Sequence, residues 1–116
     1  MTARTALILL FATILLAMLA VTSWASLVQP LWDWQGLVNR PDHAWTIATL
    51  FDAYFGFLTF YAWVYYKERP AGRVGWFVFI MLFGNIAMAI YVLRELFRLQ
   101  PGEPVATLLT RRAARA

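Results

Sequence analysis

Asp52 is an ionisable residue inside a long apolar stretch, and its position could support chemistry. The stretch runs from Trp45 to Tyr66, WTIATLFDAYFGFLTFYAWVYY, and Asp52 is its one acid. A carboxylate near the centre of a membrane helix costs about 2.5–3.5 kcal/mol on insertion scales. We therefore expect Asp52 to face protein, to be protonated, or both. Such an acid can relay a proton, hold a cation, contact a ligand, or fix how two helices dock.

Small and polar residues recur at three- and four-residue intervals around Asp52, which places them on one side of a helix. A strip of this kind lets a neighbouring helix approach closely. It comprises Thr49, Asp52, Ala53, Gly56 and Thr59. We expect this strip to be the packing face of the helix.

A later apolar stretch supplies the expected partners of Asp52. It holds Gly84 and Asn85 at its centre and Arg94 near its end. Antiparallel packing of two continuous helices would bring Arg94 to the Asp52 side of the midplane, and an arginine can lean back along its own helix. We predict that Asp52 pairs with Arg94 or with Asn85. The predicted helix-packing or partner-binding residues are Asp52, Gly56, Thr59, Gly84, Asn85 and Arg94.

Residues suited to catalysis or metal binding are few. The chain has no cysteine, and its single histidine, His43, lies in a loop, so neither a zinc site nor an axial ligand for haem or chlorophyll is expected. Only Ser23 and Ser26 represent serine, without a glycine-flanked nucleophile or a phosphate-binding loop. No second acid lies at membrane depth to continue a proton relay. We expect no enzyme, no metal site and no cofactor of the chain's own.

The composition indicates a membrane protein. Of 116 residues, 62% are hydrophobic and only 14% are charged, which lies well outside the usual range for a soluble domain of this size. The length accommodates three spans with short connections and leaves no room for a separate soluble domain. The predicted fold is all-α, with three transmembrane helices in a small up-down-up bundle, forming a single membrane domain over residues 1–116.

Apolar length and turn residues divide the chain into segments. Runs long enough to cross about 30 Å of hydrocarbon predict spans over 5–27, 45–66 and 74–96. The first run is longer than a signal-peptide core, so we expect a retained signal-anchor helix. Residues 28–44 contain prolines and tryptophans and predict an interfacial loop. Residues 100–116 predict a basic tail that is either disordered or forms a short amphipathic turn on the membrane surface.

The net charge of +4 comes from the ends and loops of the chain. Basic residues in such places set orientation or hold anionic lipid head groups, and no aromatic-basic pattern indicates nucleic acid. The count of Lys and Arg on the two sides of a three-span protein is nearly balanced. The compact group Lys67, Arg69 and Arg73 in the second connection favours a multi-pass protein with its N-terminus inside.

Two stretches carry a resemblance to a known family. They are ATLFDAYFGFLTFYAWVYYKE and WFVFIMLFGNIAMAIYVL, within residues 22–96. Here the chain resembles domain-of-unknown-function family 1475, small uncharacterised bacterial membrane proteins. The resemblance implies a three-span fold in the bacterial inner membrane. It also draws attention to Asp52, Gly56, Gly84 and Asn85 without assigning them a role.

The aromatic content suggests interaction surfaces. Nine Phe, six Trp and five Tyr exceed what three short helices can bury against one another. The outward rings suit lipid, a larger membrane assembly, or the rings and tails of quinones and carotenoids. The leading hypothesis is a non-catalytic accessory or scaffold subunit of a larger membrane complex, with respiratory and photosynthetic complexes as typical hosts. The alternative is a small lipid- or quinone-binding membrane protein that uses a cleft around Asp52 and Asn85.

Overall fold

The structure is a computed structural model that describes residues 2–33 and 43–111. Within these residues it contains four α-helices, two short 3₁₀ segments and no strand. The helices are α1 (Ala3–Val28), α2 (His43–Lys67), α3 (Pro70–Phe83) and α4 (Asn85–Phe97), and the 3₁₀ segments are Leu31–Asp33 and Val105–Leu109. The all-α prediction is confirmed. Most of the predicted interfacial loop and the last residues of the predicted tail lie outside the described residues.

Two of the helices, α1 and α2, are long and apolar enough to cross a membrane. With 26 and 25 residues they reach about 39 and 38 Å at 1.5 Å per residue. The start of α1 is capped by Thr2, whose side-chain oxygen accepts a hydrogen bond from the Thr5 N–H at 3.2 Å. These two helices correspond to the first two predicted spans.

The predicted third span over 74–96 is wrong, because the helix breaks at Gly84. This residue has a φ of +51° and a ψ of −120°, a backbone conformation that residues with a side chain rarely adopt. The 14 residues of α3 and the 13 residues of α4 reach only about 21 and 20 Å. Neither helix is long enough to cross about 30 Å of hydrocarbon. The three-helix bundle is therefore replaced by a four-helix arrangement.

The two short helices form a hairpin that returns to the end of α2. Helix α3 runs antiparallel to α2, since the Tyr61 hydroxyl donates to the Arg73 carbonyl at 2.8 Å and the Tyr54 hydroxyl donates to the Met81 carbonyl at 3.2 Å. Helix α4 then runs back, and its Tyr91 hydroxyl donates to Glu68 Oε2 at 2.9 Å. The tip of the hairpin, at Gly84, thus lies beside the middle of α2.

This reversal places both ends of the described chain at one end of the molecule, which we call the Lys67 end. The start of α1 lies there because Arg4 Nε donates to the Leu96 carbonyl at 3.2 Å. The last 3₁₀ segment lies there too, since Trp63 Nε1 donates to the Leu109 carbonyl at 3.2 Å. The up-down-up topology, with the two ends of the chain on opposite sides, is therefore wrong.

The apolar core surrounds α4 on two sides. One cluster joins α4 to α2 and α3 through the buried residues Val64, Ile80, Ala87 and Tyr91. A second cluster joins α4 to α1 and to the last 3₁₀ segment through the buried residues Val92, Leu96, Leu99 and Leu108. No described residue of α1 is itself buried. The core is consequently concentrated toward the Lys67 end, whereas much of α1 and α2 remains uncovered.

We expect Gly84→Ala to lower the free energy of unfolding by roughly 1–3 kcal/mol, because a side chain would strain the positive-φ backbone. The added Cβ would also lie 2.6 Å from Phe57 Cζ. Thermal unfolding in detergent, followed by circular dichroism, measures the effect. The matched control is Gly56→Ala on α2, where a Cβ would meet nothing within 4 Å. This control should be neutral or slightly stabilising, and equal destabilisation by both variants would contradict the hairpin.

We also expect single cysteines at Gln29 and Gln100 to be labelled from opposite sides of the membrane. Both positions are exposed, and they follow α1 and α4 at opposite ends of the molecule. A membrane-impermeant maleimide applied to sealed vesicles measures this, since the natural chain has no cysteine to interfere. Permeabilised vesicles, in which both variants should react, provide the control. Labelling from the same side would restore the three-span topology.

Candidate functional site: the Asp52 face and the basic cleft

The predicted packing strip on α2 is not where this chain's helices meet. Asp52, Gly56 and Thr59 are all exposed. The Thr59 hydroxyl donates to the Phe55 carbonyl of its own helix at 2.8 Å, and a Cβ at Gly56 would have nothing within 4 Å. As contacts within the chain these predictions are wrong. As partner-binding residues they stay a prediction, and we call Thr49, Asp52, Gly56 and Thr59 the Asp52 face.

The predicted pairs of Asp52 are also wrong. Arg94 Nη1 instead donates to Glu68 Oε2 and to Glu95 Oε2, both at 3.3 Å. The reason is the reversal at Gly84, which carries Arg94 back to the Lys67 end and away from Asp52. Asn85 is exposed at the start of α4, and no hydrogen bond joins it to Asp52 among the residues that the structure describes.

Gly84 is the predicted site residue that does lie between helices. It is buried, and the space in which a Cβ would stand is filled by the ring of Phe57 on α2. The chain can approach α2 this closely because glycine has no side chain. The hairpin tip also uses the Tyr54 hydroxyl, which satisfies the Met81 carbonyl near the end of α3.

A buried ion pair joins Lys67, the last residue of α2, to Glu95 on α4. Both side chains are only 2% exposed. The Lys67 ammonium donates to Glu95 Oε1 and to the Leu108 carbonyl in the last 3₁₀ segment. It also lies 5.0 Å from the centre of the Trp63 ring, a cation–π distance. One ammonium thus connects the end of α2 to α4 and to the C-terminal segment.

Two carboxylates organise the arginines around this pair. Glu95 Oε2 accepts from Arg94 at 3.3 Å and from Arg98 at 3.1 Å. Glu68 Oε2 accepts from Arg94 and from the Tyr91 hydroxyl. Because ionised groups out of water are stable only when fully paired, the several donors around Glu95 explain how a carboxylate can be buried here.

Tyr91 connects this charged network to a cluster of aromatic rings. Its ring is packed edge-on against Trp76, Trp63 and Phe60, with centroid distances of 4.7, 5.4 and 6.1 Å. Such edge-to-face contacts fix the ring, and with it the direction in which the hydroxyl points toward Glu68. The aromatic cluster therefore positions the charged network.

Beside this network is a cavity of about 470 Å³ that we call the basic cleft. Its charged lining consists of five cations and two carboxylates, a formal excess of three positive charges. The cations are Lys67, Arg69, Arg94, Arg98 and Arg111, and the carboxylates are Glu68 and Glu95. Ala71 and Gly72, in the first turn of α3, complete the wall. No group of three His, Asp or Glu side chains that could hold a metal ion occurs in the described residues.

The Lys67–Glu95 pair is not among the sequence-based predictions, although the spacing of Glu95 contains a signal for it. Glu95 lies three residues after Val92 and four before Leu99, both of which are buried. An acid on the apolar face of a helix requires a partner. A continuous third span would place Glu95 and Lys67 at opposite ends of the bundle, where the two side chains could not meet.

We expect Glu95→Gln to lower the free energy of unfolding by about 3–5 kcal/mol, because it leaves the Lys67 ammonium buried without its carboxylate. The double variant Lys67→Met/Glu95→Gln should cost clearly less than the sum of the single variants. A double-mutant cycle of thermal unfolding in detergent measures this coupling. The control is Arg98→Gln, which removes a half-exposed partner of Glu95 and should cost at most about 1 kcal/mol. Additive single effects would show that the pair is not coupled.

Comparison with known proteins places the chain in a family. No curated protein and no solved structure matches it. The model of the family described as "Protein of unknown function (DUF1475)" matches residues 5–113. The match extends beyond the stretches that carried the resemblance and covers both the Asp52 face and the basic cleft. The chain therefore belongs to the DUF1475 family.

Proposed function

We propose that this protein is a non-catalytic accessory or scaffold subunit of a larger membrane complex. The observation that carries the proposal is the exposure of Asp52 on the surface of α2. Nine residues separate Asp52 from the start of α2 and fifteen from its end, which places the acid about 14 Å and 22 Å from the two ends. Helix α2 is long enough to span, so the carboxylate lies at hydrocarbon depth in this proposal.

An exposed acid at this depth would face acyl chains in the isolated chain. Burying a carboxylate in a membrane helix costs about 2.5–3.5 kcal/mol on insertion scales. The described part of this chain supplies no cation or amide to Asp52. A neighbouring subunit that does so removes the cost, which favours a protein that is complete only in a complex.

The shape of the Asp52 face suits a helix from another subunit. Gly56 has open space around it, and Thr59 continues the narrow strip one turn further. Large exposed rings stand beside the strip, with Phe51 57% and Phe55 60% exposed. Small residues between bulky ones form a groove in which helix backbones approach closely. We infer a transmembrane helix with an amide, hydroxyl or guanidinium group at the level of Asp52 as the partner.

The proposal also covers location and orientation. Respiratory and photosynthetic complexes of a bacterial inner membrane are typical hosts for small subunits of this kind. The described cations belong to segments that meet at the Lys67 end. They are Arg4, Lys67, Arg69, Arg73, Arg94, Arg98 and Arg111. Since basic residues are enriched on the cytoplasmic side, this end, and with it the N-terminus, is proposed to lie inside.

The alternative function is a small lipid- or quinone-binding membrane protein that uses a cleft around Asp52 and Asn85. Both side chains are exposed, and the cavities described at the Lys67 end are lined by other residues. A lone particle that retains an isoprenoid lipid after detergent extraction would support this alternative. The accessory function accounts better for an acid that has no partner within the described chain.

We expect Asp52→Leu and Gly56→Leu to weaken partner binding by about five- to thirty-fold, the range expected when an interhelical contact of 1–2 kcal/mol is lost. Asp52→Asn should be milder, because an amide keeps the hydrogen-bonding groups. The measurement is recovery of a stoichiometric partner when the tagged chain is purified from its native membrane. The matched control is Gly75→Leu on α3, since Gly75 is also exposed and surrounded by open space.

The control should retain the partner at the level of the unaltered chain. Full recovery of the partner by Asp52→Leu would exclude the Asp52 face as the docking surface. Purification of the unaltered chain without any stoichiometric partner would contradict the accessory function itself.

A further inference from the structure

We propose that the basic cleft binds an anionic phosphate group, supplied either by the head group of an anionic phospholipid or by free phosphate. This site is separate from the proposed docking surface: Asp52 lies in the first half of α2, whereas the basic cleft lies at the C-terminal end of α2. It rests on the charge balance of the cleft, on its arginine geometry, and on its position along α2.

The charge balance leaves the cleft positive. Five cations face two carboxylates, and both oxygens of Glu95 already accept hydrogen bonds from protein donors. Glu68 Oε2 is likewise engaged by Tyr91 and Arg94. An excess of three positive charges around a volume of about 470 Å³ attracts an anion.

The arginines have the geometry that phosphate oxygens require. Arg94 and Arg98 have side chains that are 39% and 41% exposed, and they bond Glu95 through Nη1. Each guanidinium carries five N–H donors in a planar fork, so one side chain can bond a carboxylate and a phosphate oxygen together. Arg69 is exposed at the start of α3 and makes no side-chain cap there. With Arg111, four guanidinium groups therefore line one cavity.

The first turn of α3 adds a second favourable element. Ala71 and Gly72 line the cleft, and the N–H groups of a helix start carry partial positive charge. A Cβ at Gly72 would lie 2.5 Å from Glu68 Oε1, which shows that a carboxylate already rests against this helix start. The start of α3 thus already accommodates one anionic group, the Glu68 carboxylate. The formal excess of three positive charges in the cleft favours the binding of a second anion.

The position of the cleft matches the depth of lipid head groups. It lies at the end of α2, where Tyr65 and Tyr66 are exposed. Aromatic residues of this kind favour the membrane interface. The cavity volume lies within the usual range of about 300–1,000 Å³ for small-molecule sites. A zwitterionic head group carries a positive amine beside its phosphate, and this second charge would be repelled by the cations of the cleft. We therefore expect the cleft to select anionic lipids.

The test uses the full chain reconstituted in phosphatidylcholine vesicles. Association of spin-labelled phosphatidylglycerol is compared with that of spin-labelled phosphatidylcholine. We expect the unaltered chain to prefer phosphatidylglycerol, and Arg69→Gln and Arg98→Gln each to reduce this preference about five-fold, as expected when one hydrogen bond worth about 1 kcal/mol to the bound phosphate is lost.

The matched control is Arg73→Gln, which removes the same charge one helical turn from Arg69. Arg73 is not part of the cleft, because its guanidinium stacks on Tyr65 at 3.9 Å from the ring centre. This control should change the preference by less than about two-fold. Equal losses from Arg69→Gln and Arg73→Gln would mean general surface attraction and would overturn the proposal, as would the absence of any preference in the unaltered chain.

Repeating the measurement with inorganic phosphate in place of chloride, at equal ionic strength, distinguishes a lipid head group from free phosphate as the ligand. If inorganic phosphate displaces the labelled lipid where chloride does not, the cleft takes free phosphate. If phosphatidylglycerol stays bound in both salts, the lipid head group is the ligand. Circular dichroism of each variant verifies that the helices remain folded.

Discussion

The backbone conformation of Gly84 is the constraint on which the rest of the structure depends. Its positive φ ends α3 in the middle of the molecule and sends α4 back along α3. Phe57 fills the space where any side chain would stand. Because the chain turns at this point, the residues after it return to the Lys67 end instead of continuing to the opposite side. Every long-range polar contact of α4 follows from that return.

The return concentrates charge where it can be paired. Without the turn, Lys67 would stand alone at the end of α2, and Glu95 would be an unpaired acid on an apolar helix face. Burying either alone is costly, and a buried ion pair seldom adds net stability compared with apolar residues of similar size. The stabilisation comes from the apolar clusters on both sides of α4. The ion pair fixes the register of α4 against α2 and connects the C-terminal 3₁₀ segment to them.

The helices that can be predicted from the sequence, α1 and α2, are those identified by a continuous apolar stretch of the chain. Apolar length alone is sufficient for α1 and α2, because a helix must satisfy its own backbone in lipid. The break at Gly84 is not predictable from the sequence alone, because glycine is common inside intact membrane helices. The contact with Phe57 and the return of Tyr91 to Glu68 reveal the turn. At the sequence level, Gly84 and Asn85 at the centre of the stretch indicate only helix packing or partner binding.

The expected contact between Arg94 and Asp52 depends on a helix that continues past Gly84. A continuous helix would bring this arginine toward Asp52, whereas the hairpin brings it to Glu68. The cost of an unpaired membrane acid does not require a partner within the same chain, because in the proposed function a neighbouring subunit supplies that partner. The turn at Gly84 also brings together five cations from three separate stretches of the sequence to form the basic cleft. No local sequence motif therefore predicts this cleft.

The half-depth hairpin also gives the molecule an unequal cross-section. At the Lys67 end, α3 and α4 stand beside α1 and α2, whereas beyond the tip at Gly84 only the two long helices continue among those described. In the proposed membrane location, a body that is broad at one end and narrow at the other would displace more lipid from one leaflet than from the other. A wedge of this shape favours a bent bilayer, so in that location the shape alone would make this small chain sensitive to local membrane curvature.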